Sequence, residues 1–487
     1  MNKKGYFALN IQQVLFGAFG LLFLASFLVR TINLSYNIPF YDEAVYVVIG
    51  RLGLYQHDWW SYNAASWVAG SSFLYPSLAA LSYNVGGIVG SRFINVLLGV
   101  LTVEVVVFLA SLLSGFRDAR KFVGGLIAGS IVGGSTIALY INRLATYDTP
   151  SFYLFFLGLA FLFWAEKKYV KNGKWYFLAF VALYIAFLIK MITIAYIPLL
   201  FIISYFRSRK TKELYFYWKR YFALPMVIGV LLYGVFGLAP TLTYMQSQLV
   251  RERIGFLEIV RLFWEKTSYV WLFYIIGTYG MLLFKQWKLW MMLTISALWI
   301  LAVHLATFRL ATLDKHAFLT IVFLSIVAGI GIGNLILSTT KKTIFAVNVF
   351  LWGIVFAGYW FLSYQDAKNY NTYWANSGEV LSYLSSEVKL GDTILAEVGP
   401  AAILSVYEKN HPVYTTTFDW FEYGKLQGPE AYAQAVQDGY FSYIELEEGP
   451  DRSSEKVELH NLIQENLADN YNIVYDNNGF LVYKRVY

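Results

Sequence analysis

The sequence predicts a polytopic α-helical membrane protein of about 11 transmembrane helices, with surface helices in the first outer loop and a C-terminal extracytoplasmic α/β domain. Three observations carry that expectation. The 487-residue chain is 58% hydrophobic, with a mean hydropathy of +0.50, and apolar runs of about 20 residues, the length that spans a bilayer, recur along it. Lys and Arg concentrate in every second connection between these runs, the pattern that sets orientation in a membrane. Beyond Ser363 the apolar runs stop and the charge balance reverses: residues 363–487 hold 8 Lys+Arg against 19 Asp+Glu, whereas residues 1–362 hold 30 against 12.

The spans are expected at about 9–29, 92–113, 121–140, 150–165, 175–190, 192–206, 222–239, 268–284, 289–307, 316–337 and 343–362. The basic connections are the N-terminus, Arg117 to Lys121, Lys167 to Lys174, Arg207 to Arg220, Lys285 to Lys288 and Lys341-Lys342. These face the cytoplasm. The alternation places the loop 30–91, the corner at Asp148 and everything after residue 362 on the opposite side. Two domains follow: a membrane domain over 1–362 and a soluble domain over 363–487. Met1-Asn2-Lys3-Lys4 leads into an apolar run without a small-residue cleavage pattern, so a retained first span is expected. The chain has no Cys, which excludes disulfides and thiolate metal sites. Its basic excess lies in short loops between spans, so it sets topology and is not a nucleic-acid footprint. Abundant Tyr (39), Phe (39) and Trp (15) suit membrane interfaces.

The first outer loop, about 30–91, is too long for a turn. Glu43 to Leu54 and Tyr75-Pro76 to Val89 have helical periodicity and are expected along the membrane surface, with Trp59, Trp60 and Trp67 at headgroup level. In Ile38-Pro39-Phe40-Tyr41-Asp42-Glu43 two carboxylates stand at the membrane edge, where ionisable residues are costly. They either open an interfacial helix at its positive end or do chemistry. His57-Asp58 are read as solvated loop residues.

The other acids of the membrane half are sided. Asp58, Asp148, Glu252, Glu258, Glu265 and Asp314 fall outside with Asp42 and Glu43, Asp118, Glu166 and Glu213 lie in basic inner loops, and Glu104 is alone inside span two. In Asn142-Arg143-Leu144-Ala145-Thr146-Tyr147-Asp148-Thr149-Pro150, Asp148 or Thr149 is expected to cap the following helix with Pro150 at its first position. Capping leaves Arg143 unexplained. Lys190, between apolar runs, either snorkels from a tight outer turn or binds phosphate. Arg309, Lys315 and His316 add positive charge outside.

After Ser363, strands are expected at 393–397, 412–416, 440–446 and 473–483, the last turning at Asp476-Asn477-Asn478-Gly479, and helices at 378–388, 400–409, 429–438 and 455–468. No Walker, zincin or glycine-rich phosphate motif is present, and no internal repeat.

As an ordered series, these stretches resemble the C-type, multi-spanning glycosyltransferases, in the branch of protein O-mannosyltransferases and lipid A aminoarabinose transferases. Asp42-Glu43 with Tyr46 is similar to that family's acidic pair. Tyr75-Pro76-Ser77-Leu78 and Gly90-Ser91-Arg92-Phe93 resemble its Pro-rich segment and the arginine opening span two, Arg143 to Pro150 its second acidic corner, and Lys190 its span-end lysine. The chain departs from it in having fewer expected spans than the aminoarabinose enzymes and no sugar-binding trefoil repeats. The resemblance implies inverting transfer of a sugar from a polyprenyl phosphate to an acceptor on protein, lipid or envelope polysaccharide. It implies Asp42 as base, Glu43 and Asp148 as orienting groups, Lys190, Arg92, Arg143, Arg309 and Lys315 on the donor phosphate, and Tyr46, Tyr75 and His316 on substrate. A divalent cation, Mg²⁺ or Mn²⁺, would fall to Asp42, Glu43 and Asp148. A transporter or flippase of a lipid-linked sugar is the alternative the same charges admit.

Overall fold

Residues with no water to satisfy their backbone in a bilayer must pair it within the segment, so long apolar runs fold as helices. The computed structural model describes residues 11–59, 68, 70–71, 73–115, 121–167, 173–237, 239, 242, 254–308, 312–338, 342–419, 421–448, 454–467 and 470–486. All eleven expected segments are helical in whole or in large part. In order they are α1 (Ile11–Thr31), the distal half of α3 (Leu74–Leu113), α4 (Lys121–Gly133) with α5 (Thr136–Ile141), α6 (Asp148–Lys167), α7 (Gly173–Ile189), α8 (Ile197–Ser208), α10 (Leu224–Phe236), α11 (Phe256–Leu283), α12 (Trp287–Thr307), α13 (Leu313–Ser338) and α14 (Lys342–Tyr370). Among the described residues seven helices are long and apolar enough to cross a membrane, and Leu15–Thr31, Lys121–Gly133 and Gly173–Ile189 are shorter apolar helices. Outward-pointing Phe16, Phe236 and Phe350 are exposed, as befits side chains whose solvent is lipid.

Three departures from periodicity have local causes. The expected span 121–140 breaks at Gly134-Ser135, where Ser135 caps α5 by accepting the Ala138 N–H (3.3 Å). The Trp360 ring fills the space a side chain at Gly134 would need. The second half of the 30–91 segment and span two form one helical stretch, α3, bent where Gly86 and Gly87 leave helical geometry, Gly87 with φ of +59°. Lys212–Phe236 runs unbroken through α9 (Lys212–Trp218), a π-turn at Lys219–Ala223 and α10, longer than the expected 222–239.

The chain divides into two compact units: residues 1–34, 68–74 and 92–370, and residues 35–67, 75–91 and 371–487. In the first, α13 is almost wholly buried and packs on α11, α4 and α12. Glycines let the backbones touch: a Cβ on Gly331 would lie 1.8 Å from the Gly277 carbonyl oxygen, and one on Gly280 2.2 Å from that of Gly331.

The second unit contains a five-stranded sheet of order β2-β1-β5-β7-β6, from β1 (Ile394–Ala396), β2 (Thr415–Thr417), β5 (Tyr443–Glu447), β6 (Tyr471–Asn477) and β7 (Phe480–Arg485). β1 runs parallel to β2 and β5, and β7 antiparallel to β5 and β6. The β6–β7 turn is Asn478-Gly479, both at positive φ (54° and 76°), the mirror-image turn that matches hairpin twist. Pro412–Tyr414 is a 3₁₀ turn where a strand was expected, because Pro412 has no N–H for a ladder. A small hairpin, β3 (Glu422–Tyr423) with β4 (Leu426–Gln427), was not expected. Helices α15 (Gly378–Glu387), α16 (Pro400–Val406), α17 (Pro429–Gln437) and α18 (Ser454–Asn466) accompany the sheet. Its core includes Leu395, Val436, Phe441, Ile444 and Ile463.

Helix α2 (Tyr41–Tyr55) packs on α16 within this unit. Gly50 makes this compact: a Cβ there would fall 1.9 Å from the Pro76 carbonyl oxygen. Arg51 pairs with Glu408 and lies 4.1 Å over the Tyr407 ring. Phe40 packs on Trp374, ring centroids 5.1 Å apart, while Asn37 Nδ2 donates to the Trp374 carbonyl (2.9 Å).

Under the sheet, Glu397 Oε2 accepts from the Glu447 N–H (2.9 Å) and lies 2.7 Å from His460 Nδ1, and Glu445 Oε2 accepts the Val398 N–H (2.9 Å). Burial pushes the Glu445 carboxyl up from 4.5 to about 8, with the Glu397 carboxylate adding to the rise. The folded unit keeps this proton and the unfolded chain releases it near 4.5. Stability present below pH 4.5 is therefore lost as pH rises toward about 8. Glu445→Gln, which cannot ionise, flattens that decline in denaturant titrations across the same range; an unchanged slope would remove Glu445 as its source. Gly331→Val forces α11 and α13 apart and lowers the melting temperature of the solubilised protein, overpacking of this kind costing ~1–3 kcal/mol. A parental melting temperature would show that this contact is dispensable.

Candidate functional site

The first unit assembles its charges where helices end. Asp148 opens α6 and is 1% exposed. Its carboxylate does not serve as the cap expected of it: Oδ1 accepts from Lys190 Nζ, and Oδ2 accepts from Thr146 Oγ1 (2.9 Å). Lys315 Nζ lies 3.9 Å from the same Oδ2, within Coulombic range but beyond a hydrogen bond. Thr149 is diverted too, its hydroxyl donating to the Ile141 carbonyl (3.1 Å).

Lys190 reaches Asp148 because the chain is not helical there. α7 stops at Ile189, Lys190 is extended (φ −142°, ψ 115°), and a 3₁₀ turn over Met191–Tyr196 precedes α8. Lys190 is 4% exposed and lies 5.0 Å from the Tyr147 ring centroid and 5.5 Å from that of Phe152. Its ammonium is buried beside these two rings. In these apolar surroundings a charge pair is weakly screened, and each partner is costly without the other.

Lys315 and His316 open the buried helix α13. His316 Nδ1 is 3.0 Å from His304 Nε2 on α12, and His316 Nε2 is 3.1 Å from Thr312 Oγ1. Sequence reasoning named His316 and missed His304, whose signal was a histidine one turn before the end of an apolar helix.

Arg92 and Arg143 are fully buried and bind backbone. Arg143 Nη2 donates to the carbonyls of Ile32 (2.7 Å) and Asn33 (3.0 Å), and Arg92 Nη1 to that of Leu34 (2.8 Å). These carbonyls follow the end of α1, where helix geometry leaves acceptors without partners. Asn95, also missed, donates Nδ2 to the Leu144 (2.5 Å) and Thr146 (2.8 Å) carbonyls, fixing the corner that presents Asp148. Arg30, a third missed residue, is buried with Nη1 on the Ser26 carbonyl (3.2 Å) and, among the described residues, no hydrogen-bond partner at Nε or Nη2. Arg309 lies outside the described residues.

In the second unit, Asp42 and Glu43 occupy the first turn of α2. Glu43 is fully buried, and Oε2 accepts the Phe40 N–H (2.8 Å), so this carboxylate closes its own helix. Asp42 beside it is partly exposed. Tyr41 anchors the same turn by donating its hydroxyl to Asp419, whose Oδ2 also accepts from Thr417 Oγ1 (2.7 Å). Tyr46 and Tyr75 are both 2% exposed and pack edge to face, centroids 5.3 Å apart. They join α2 to the start of α3. Asp42 and Glu43 thus belong to one unit, and Asp148, Lys190, Lys315 and His316 to the other. Among the described residues no three His, Asp or Glu side chains group as ligands for a metal ion.

No family model matches the sequence, and no curated protein matches it. Solved structures do match in fold. ArnT from Cupriavidus metallidurans bound to undecaprenyl phosphate superposes with a TM-score of 0.63 at 14% identity, over 96% of this chain and 98% of that one. Its apo state gives 0.63 over 97% and 98%. The oligosaccharyltransferase of Archaeoglobus fulgidus, in complex with Zn and sulfate, gives 0.52 at 11% identity over 95% of this chain and 73% of that one. The chain therefore shares the fold of these solved structures, as a multi-pass helical membrane protein with a strand-containing C-terminal region.

Breaking the Asp148–Lys190 pair from one side strands a buried charge. Lys190→Met is expected to destabilise the solubilised protein by about 3–5 kcal/mol, and Lys190→Met with Asp148→Asn by less than Lys190→Met alone. Thermal unfolding of the set checks this, and equal losses in all variants would mean that the pair is not coupled.

Proposed function

We propose that this chain is a membrane glycosyltransferase that moves a sugar from a polyprenyl-phosphate donor to an acceptor hydroxyl on the extracytoplasmic face. The observation that supports it most is the convergence of Lys190 and Lys315 on Asp148 at helix ends of a membrane unit. The whole-length fold likeness to ArnT, crystallised with undecaprenyl phosphate, agrees with it. A polyprenyl tail stays in lipid, so its phosphate needs cations held where apolar helices end. In this reading the phosphate competes with Asp148 for the two ammonium groups.

Each residue then has a proposed role. Asp42 takes the proton of the acceptor hydroxyl, whose oxygen forms the new bond to the anomeric carbon from the face opposite the phosphate. The anomeric C–O bond breaks, its electron pair leaves on the polyprenyl phosphate, and configuration inverts. Lys190 and Lys315 stabilise the charge arriving on that oxygen. Asp148 holds both lysines in place beforehand, and Arg92 and Arg143 keep the end of α1 fixed. Glu43 orients Asp42 by closing the helix that carries it, Tyr46 and Tyr75 brace that helix, and His316 sets the start of α13 beside Lys315. The N-terminus is cytoplasmic and residues 363–487 extracytoplasmic, from the sidedness of the basic loops.

Asp42→Asn in reconstituted vesicles supplied with a labelled polyprenyl-phosphate sugar lowers transfer by about 10²- to 10⁴-fold, the usual worth of a general base, while the variant melts as the parent does. Transfer at the parental rate would sink the assignment of Asp42. Sugar-lipid movement across the bilayer without transfer, in parent and variant alike, would favour a flippase.

A further inference from the structure

Two buried carboxyls that the proposed reaction does not use lie side by side in the second unit. Glu397 follows β1, Glu445 lies in the parallel neighbour β5, and both are 0% exposed. They are not equivalent. Glu397 Oε2 has the His460 imidazole at 2.7 Å and the Glu447 N–H at 2.9 Å. Glu445 Oε2 has the Val398 N–H (2.9 Å), while its buried Oε1 has no hydrogen-bond partner among the described residues.

The charged groups that face Glu445 are Glu397 beyond the end of β1, Glu447 on its own strand and Lys456 on α18. His460, also on α18, is engaged by Glu397, and Lys456 Nζ donates to the Glu397 carbonyl (3.3 Å). On the other neighbouring strand, β7, the residue beside Glu445 is Val482. An ionised Glu445 would thus be buried between two other acids with no cation on its free oxygen, which is why the group keeps its proton up to about 8.

The N–H that Glu445 holds belongs to the turn Glu397-Val398-Gly399-Pro400, which joins β1 to α16. Gly399 takes φ of +78° there, and a Cβ on it would lie 3.1 Å from Tyr41 Cε2. The turn therefore lies against the ring of the residue that precedes Asp42. It also opens α16, the helix against which α2 is buried. Tyr41 in turn reaches Asp419, beyond the end of β2, with its hydroxyl.

We infer that Glu445 is a positioning residue for Asp42: uncharged, it holds the 397–399 turn against Tyr41, and on losing its proton to solvent it releases that turn and the first turn of α2. The inference rests on the transferase reading, in which Asp42 takes the acceptor proton. An ionised carboxylate accepts the Val398 N–H as well as a neutral one does, but it must also be hydrated, and water reaches Oε1 only when the turn opens. The opened turn ionises Glu445 near 4.5, and the closed turn holds the proton to about 8. The preference for the closed form is complete below pH 4.5 and is lost as pH rises toward about 8, so opening grows about tenfold per pH unit in that window and levels off above it.

Hydrogen–deuterium exchange of the full chain in lipid nanodiscs, read by mass spectrometry and corrected for intrinsic rates, measures this opening. In the parent, segments 397–402 and 41–48 are expected to exchange about tenfold faster for each unit between about pH 6 and 8, while 480–485 on β7 keeps its protection. In Glu445→Gln, a neutral side chain of the same shape, both segments stay at one level across that range. The kcat for transfer from a labelled polyprenyl-phosphate sugar, parent relative to variant, falls over the same range. Exchange of 397–402 and 41–48 that is independent of pH in the parent overturns the inference, and that measurement needs no variant to fold. So does an equal pH dependence in Glu445→Gln, or loosening of 480–485 in step with the two segments, which would mean a general loss of stability. If exchange behaves as expected and no transfer occurs at any pH, the control of the turn by Glu445 stands and the transferase reading falls. If transfer occurs with one pH profile in parent and variant, the transferase reading stands and the positioning role of Glu445 falls.

Discussion

A carboxylate shared by two lysines, in surroundings of aromatic rings and apolar helices, is the constraint on which the first unit depends. None of the three charges is tolerable alone at that depth, so the segments that carry them cannot be placed independently. Asp148 opens α6, Lys190 sits where α7 gives way to a 3₁₀ turn, and Lys315 opens α13. Their ion pairs tie three helix ends together. The interruption after Ile189 is then a requirement, because a continuous helix would turn Lys190 by 100° per residue to whichever face periodicity dictated.

The arginines do complementary work. Helices of a membrane protein end with carbonyls that no water of the hydrocarbon region can satisfy. Arg143 and Arg92 meet those beyond α1, and Asn95 does the same for the corner before Asp148. Backbone is thus held by side chains more than a hundred residues away in the case of Arg143 and Ile32. Close helix contact through Gly277, Gly280 and Gly331 holds α11 against α13.

The second unit shows the same economy on a different scaffold. The helix that bears Asp42 is nearly all buried from Glu43 to Gly53, more than a lone amphipathic segment can achieve, and it obtains that burial against α16. Tyr41, Phe40 and Arg51 each find a partner beyond residue 370, in Asp419, Trp374 and Glu408. The residues beyond 370 are therefore structural support for α2, whatever else they bind.

Much was legible in the chain itself. Hydropathy located the apolar helices, because backbone satisfaction in lipid leaves few alternatives, and period-two runs with Asn478-Gly479 located the closing hairpin, because that turn needs two residues at positive φ. The residue types at the charged corners were legible as well, since ionisable groups beside apolar runs are rare. Their duties were not. Nothing in the sequence pairs Arg143 with the Ile32 and Asn33 carbonyls, Arg92 with that of Leu34, or Asp148 with Lys190. Arg30, Asn95 and His304 gave no signal strong enough to select them. A sequence fixes which groups must be satisfied and roughly at what depth; which partner satisfies each depends on contacts between residues distant in the chain, and only the tertiary structure decides those.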